Sequence, residues 1–185
     1  MGTPGSTPRT RSLPQAVTAL CTTLLRDAYL PRIERALAEL PPGDLWWRPH
    51  ARSTSAGNLL LHLEGNVRQW IVCGLGGAPD RRERDAEFAA RAGAGAPELL
   101  DALRVTVERA CEVVARLDAA ALAGRVQVQG FDVSRLEAVL HAVEHMSWHA
   151  GQIAWIAKLR AGAGHGLAYY ADARLRKRNA GRRRD

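Results

Sequence analysis

Apolar residues recur at intervals of three and four in four separate stretches of the chain, and no stretch alternates long enough to specify a sustained strand. The first stretch runs over about 14–40, where Leu20, Leu24, Leu25, Tyr29, Ile33 and Leu37 share one helical face and Pro31 should kink the helix or break it early. "PPGDLWWRP" ends it and places Trp46 and Trp47 to cap one end of a core. A Ser/Thr cluster at 53–55 offers N-caps for a second helix, "AGNLLLHLEGNVRQWIVCG", which Gly74, Gly76 and Gly77 terminate. The third helix covers about 97–118, with Pro97 suited to its first turn. "GRVQVQGFDVS" permits a short hairpin, and Ser134 with Glu137 forms a capping box that opens a fourth helix over about 135–161. The pattern predicts an all-α chain, a four-helix bundle with long connections after helices 2 and 3. The first of these connections, "GAPDRRERDAEFAARAGAGAP", has a length that in a compact domain belongs to functional or mobile segments.

With 185 residues, the chain is long enough for one domain with a sizeable core. The division expected is a disordered leader over 1–13, a helical body over 14–168 and a basic tail over 169–185. The net charge of +7 suggests nucleic acid, but its distribution argues otherwise. The tail holds seven Lys/Arg against two Asp, and the leader adds Arg9 and Arg11, which leaves a neutral body. Nucleic-acid binding is therefore not expected, except through the tail. No apolar run approaches a membrane span, and the leader lacks the apolar stretch of a secretory signal, so the expectation is a soluble, cytoplasmic protein. Cys21, Cys73 and Cys111 are odd in number and far apart, which suits buried hydrophobes better than a disulfide framework.

The chemistry concentrates in "HAVEHMSWHAGQ", which sets His141, His145 and His149 at four-residue intervals. Each step of four drifts by only about 40°, so the three share a helical face that Gln152 continues. One ion cannot use all three, because His141 and His149 stand about 12 Å apart along the axis while zinc–imidazole bonds are about 2 Å. Either adjacent pair can bind one, given a third ligand from another helix, and His62 in "NLLLHLEGN" can supply it if the second and fourth helices pack together. His50 and His165 fall in Pro- or Gly-rich connections and read as surface residues.

"TSAGNLLLHLEGNVRQWI", "DRRERDAEF" and "HAVEHMSWHAGQIAWIAKL" together resemble the DinB-like (YfiT-like) superfamily over roughly residues 14–160. The nearest likeness is to an uncharacterised branch in which "HLEGN" precedes an Arg/Asp-rich "RD-EF" segment. The resemblance implies a bundle of up-down-down-up course, often a homodimer, and a metal held by one histidine of the second helix and two of the fourth. It assigns those positions to His62, His145 and His149, with the last directly before "AGQ", and leaves His141 beside the site. It further implies a divalent metal, Zn2+ or Ni2+. Characterised relatives use theirs to activate a low-molecular-weight thiol such as mycothiol or bacillithiol as a cosubstrate.

The expected function is that of a metal-dependent enzyme acting on a small-molecule substrate, a thiol S-transferase before a hydrolase. The alternative is a non-catalytic helical module that binds a ligand or partner and uses its histidines as a polar core. Catalytic candidates are His141, Asn66 and Glu144; Arg81, Arg82 and Arg84 are candidates for clamping a carboxylate-bearing cosubstrate. Glu64 and Glu144 lie next to the histidine turns and could orient an imidazole or act as bases, though a solvated salt bridge is the expected role of each. Asn58, Asn66 and Gln69 share the inner side of the second helix with His62. Gly65 and Gly151 can let helices approach and leave room above the metal. Cys73 stands too far along its helix from His62 to be a fourth ligand.

Overall fold

The computed structural model describes residues 10–168, so most of the expected leader and the whole basic tail lie outside the described residues. The chain is predominantly helical, with one two-stranded sheet. Helix α1 (Leu13–Thr22) continues through a π-helical stretch, Thr23–Tyr29, into α2 (Leu30–Ala38). Pro31 lies inside this continuous helical run and has no N–H to donate one turn back, and the chain accommodates it by widening ahead of the proline instead of breaking. The wider turn re-phases the pattern: Cys21, Leu25, Ile33 and Leu37 face the core, whereas Leu20, expected there, lies exposed.

Helix α3 (Ala56–Val67) starts at a reciprocal cap. Ser55 Oγ accepts from the Asn58 N–H at 3.2 Å, and Asn58 Oδ1 accepts from the Ser55 N–H at 3.0 Å. A second π-helical stretch, Arg68–Cys73, extends it to the expected glycines. The long connection then folds a short helix, α4 (Arg84–Ala89), back onto α3. Helix α5 (Ala96–Ala115) has its proline in the first turn as expected. After α6 (Ala119–Ala123), strands β1 (Arg125–Val128) and β2 (Phe131–Ser134) form the expected hairpin. Its two-residue turn puts Gln129 and Gly130 at positive φ, +52° and +80°, as a type I′ turn demands. Ser134 and Glu137 cap α7 (Arg135–Ala161) as predicted.

Helix α3 packs against α5 and α7, α2 against α7, and α1 against α5. Leu25, Ile33, Leu59, Leu63, Leu103, Met146 and Ile153 are fully buried between them. Trp46 and Trp47 pack against this core, and all three cysteines are buried and unpaired. Burial pushes the Cys111 thiol up to about 11, which makes it a packing residue and no nucleophile. Among the described residues no helix is long and apolar enough to cross a membrane.

Candidate metal centre

Helices α3 and α7 face each other along a polar seam inside an otherwise apolar interface. At one level His62, 4% exposed, meets His145 and His149; one turn along, Asn66 meets His141; beyond it the Trp70 ring lies tilted against His141, centroids 3.9 Å apart. Residue numbers rise on α3 as they fall on α7, so the two helices run antiparallel here.

One nitrogen from each of His62, His145 and His149 lies within 4.8 Å of the other two. His62 Nε2 is 2.8 Å from His145 Nε2, and His149 Nε2 is 3.2 Å from the same atom. His149 donates its Nδ1–H to Gln152 Oε1 at 2.6 Å, leaving its Nε2 lone pair directed at the cluster. A hydrogen bond across either separation needs one imidazole to turn an Nε2–H toward its neighbour, and that proton must leave before the nitrogen can take an ion. Burial, then the neighbouring His149 and His62, pushes the His145 imidazole from 6.5 down to about 3. Burial also lowers His149, against the pull of Gln152. Three neutral imidazoles converging on one point form a donor set that suits zinc or nickel and leaves a coordination position open. The residues fit the ion.

His141 stands outside this group, its ring centroid 5.3 Å from that of His145 and its Nε2 3.3 Å from Asn66 Nδ2. Asn66 Oδ1 and Trp70 Nε1 beside it are buried without hydrogen-bond partners. Glu64 and Glu144 take the salt-bridged and solvated places expected of them and do not reach the imidazoles. Glu64 accepts from Thr106 Oγ1 and Arg68 Nε, and Glu144 is exposed. The carboxylate at the site is Glu87 of α4, whose Oε2 lies 2.9 Å from His62 Nδ1. Its segment "RDAEF" was legible as a motif, but its place against His62 was not. Of the arginines considered for a ligand clamp, Arg82 is buried against Glu87, while Arg81 and Arg84 are exposed. Arg84 lies 5.0 Å over the Phe88 ring, which in turn lies 4.5 Å from His62. Gly65 does let segments approach, but the room it leaves holds Arg82 and Glu87; a Cβ on Gly151 would meet open space. His50 is exposed as expected, whereas His165 is half-buried with its Nδ1 unpaired.

These features define a helical protein with a three-histidine cluster set between two antiparallel helices. Residues 22–165 match the family described as protein of unknown function (DUF1572), and the chain belongs to that family. A solved structure titled as that of the conserved protein of locus from Enterococcus faecalis superposes with a TM-score of 0.65 at 19% identity, covering 78% of this chain and 96% of the other. At that identity the likeness speaks for the fold alone. No functionally curated protein matches the chain in sequence.

Proposed function

We propose that this chain is a metal-dependent enzyme of DinB-like descent, in which His62, His145 and His149 hold a divalent cation, Zn2+ or Ni2+. The convergence of three imidazole nitrogens within 4.8 Å carries the reading. The up-down-down-up bundle course fits the same reading: α3 lies antiparallel to α7, and the first and second helical rods both pack between the third and fourth. A bound cation would supply Lewis acidity to an incoming thiol or water, favouring the thiolate or hydroxide. The reaction class proposed is therefore transfer of a low-molecular-weight thiol to a small electrophile, ahead of hydrolysis.

The protein's own residues divide the remaining work. Gln152 fixes the His149 ring, and Asn66 holds His141 one turn from the cluster, where it can meet a bound substrate or move a proton. Arg84, held over Phe88 one ring from His62, is the arginine placed to receive a ligand carboxylate. Three buried free thiols suit a reducing, cytoplasmic setting.

Metal analysis of protein made without a histidine tag tests the centre. One equivalent of zinc or nickel is expected, lost in His149→Ala; metal content unchanged in that variant would refute it. The second reading, a non-catalytic module, draws on the hydrogen bonds by which the three imidazoles satisfy one another without an ion. It predicts that a chelator leaves the melting temperature unmoved.

A further inference from the structure

The outer face of His62 is held by a salt pair that neither α3 nor α7 supplies. Arg82 places its guanidinium on Glu87 through two bonds, Nε to Oε1 at 2.7 Å and Nη2 to Oε2 at 2.8 Å. The Arg82 side chain is 1% exposed and that of Glu87 11%, so the pair is enclosed. Gly65 makes it possible: a Cβ there would overlap Glu87 Oε1 and stand 2.8 Å from Arg82 Nε. Arg82 Nη1 also donates to Gln69 Oε1 at 2.9 Å, and the same oxygen accepts from Gln129 in the hairpin turn.

We propose that Glu87 and Arg82 are positioning residues that select the tautomer of His62 able to bind a cation; the inference rests on the metal reading of this same site. His62 Nδ1 has two neighbours, Glu87 Oε2 at 2.9 Å and Arg82 Nη2 at 3.0 Å. A guanidinium nitrogen accepts no hydrogen bond, so only the carboxylate can receive a proton from Nδ1. With the proton there, Nε2 presents its lone pair to the point shared with His145 and His149. Were Nδ1 instead to accept from Arg82, the proton would sit on Nε2 and obstruct that point. The arginine therefore has two effects: it keeps Glu87 ionised and, by neutralising it, lets a carboxylate lie buried against the imidazole.

Glu87→Gln separates positioning from packing. Both Glu87 oxygens accept from Arg82, so either orientation of the new amide gives up one of those bonds; with its oxygen on Arg82 Nε, its amide N–H faces His62 Nδ1, which must then accept. The imidazole proton would move to Nε2. Nitrogen–proton correlation spectra of isotope-labelled histidine in the metal-free protein read the tautomer, and competition with a chelator reads zinc affinity. The wild type is expected to carry the proton on Nδ1 and Glu87→Gln on Nε2, with zinc affinity lowered roughly 10–100-fold. Glu87→Asp should restore the wild-type tautomer and most of the affinity, and unchanged circular dichroism would show that both variants fold. A Glu87→Gln protein that keeps Nδ1–H and binds zinc as tightly as the wild type overturns the inference. A tautomer that inverts in a protein whose wild type binds no zinc upholds the clamp and overturns the metal reading alone.

Discussion

Burial holds His141, His145 and His149 below the ordinary imidazole range, with His145 lowest, at about 3. An unfolded chain takes up protons on these rings near 6.5, whereas the folded chain resists them. Below that value the unfolded state binds more protons, so stability falls as pH falls; above it both states are neutral and the rings contribute nothing. The denaturation midpoint of metal-free protein should therefore be level above about 6.5 and decline from there toward about 3. Glu87, also depressed, adds loss in the same direction at the acid end, so the histidine share is read from His145→Gln, which should flatten the upper part of the slope. A wild-type midpoint that rises on acidification would exclude this account. Added zinc should raise the midpoint at neutral pH and lose its effect in acid, because it binds only deprotonated rings. At this scale the sequence carried a good deal: helical rise alone separates His141 from any ion on His149, and the structure gives His141 to Asn66 and Trp70. It did not carry Glu87, which stands 25 positions from His62 and reaches it only because the connection folds back. Glu64, nearer along the helix, is engaged by Thr106 and Arg68.

One side chain ties that connection to the start of α3. Asn58 caps α3 through Ser55 and donates its amide hydrogens to Glu87 O at 2.7 Å and Ala90 O at 3.0 Å. Arg48 closes the arrangement, bonding Asn58 Oδ1 at 2.5 Å as well as the carbonyls of Ser53 and Ala90. Asn58→Ala removes the cap partner and leaves the Glu87 carbonyl without its donor, at a cost of about 2–4 kcal/mol in denaturant unfolding. The loss should be local as well as global: amides of α4 should exchange faster while those of α5 stay protected, and zinc affinity should fall with the displaced Glu87. Uniform loss of protection with unchanged affinity would show that Asn58 only stabilises the fold. The four long helices, the hairpin and the proline start of α5 were legible because each carries its own local signal, a period of three to four, a cap or a turn pair, whereas Pro31, expected to kink or break the first helix, lies in a continuous run. The π-helical stretches were not, since they arise from packing and shift the phase by which Leu20 had been placed inside. Helix α4 is six residues long, too short for periodicity to declare it, and its stability comes from contacts to α3.

For the molecule as a whole, α7 presents a face that the described chain leaves uncovered. Trp148, Trp155 and Leu159 are 67%, 59% and 49% exposed, and their spacing of seven and four puts them on one side of the helix. Gly151 lies within this stripe, and a Cβ there would meet nothing within 4 Å. Large aromatic residues aligned around a glycine mark a surface where another helix can approach closely. The homodimer that the family resemblance implies would join there, α7 against α7 of a second copy, because a two-fold axis lets one apolar stripe satisfy itself. The same helix carries His145 and His149, and Gln152, which fixes the His149 ring, falls between the two tryptophans along α7. Sedimentation across a dilution series should show a dimer that Trp155→Glu converts to monomer with its helical content intact. If dimerisation also supports the site, the monomeric variant should bind zinc more weakly, because solvent then reaches the Gln152–His149 hydrogen bond. A wild type that stays monomeric throughout the series would remove the contact, and a dimer that survives Trp155→Glu would move it to another face.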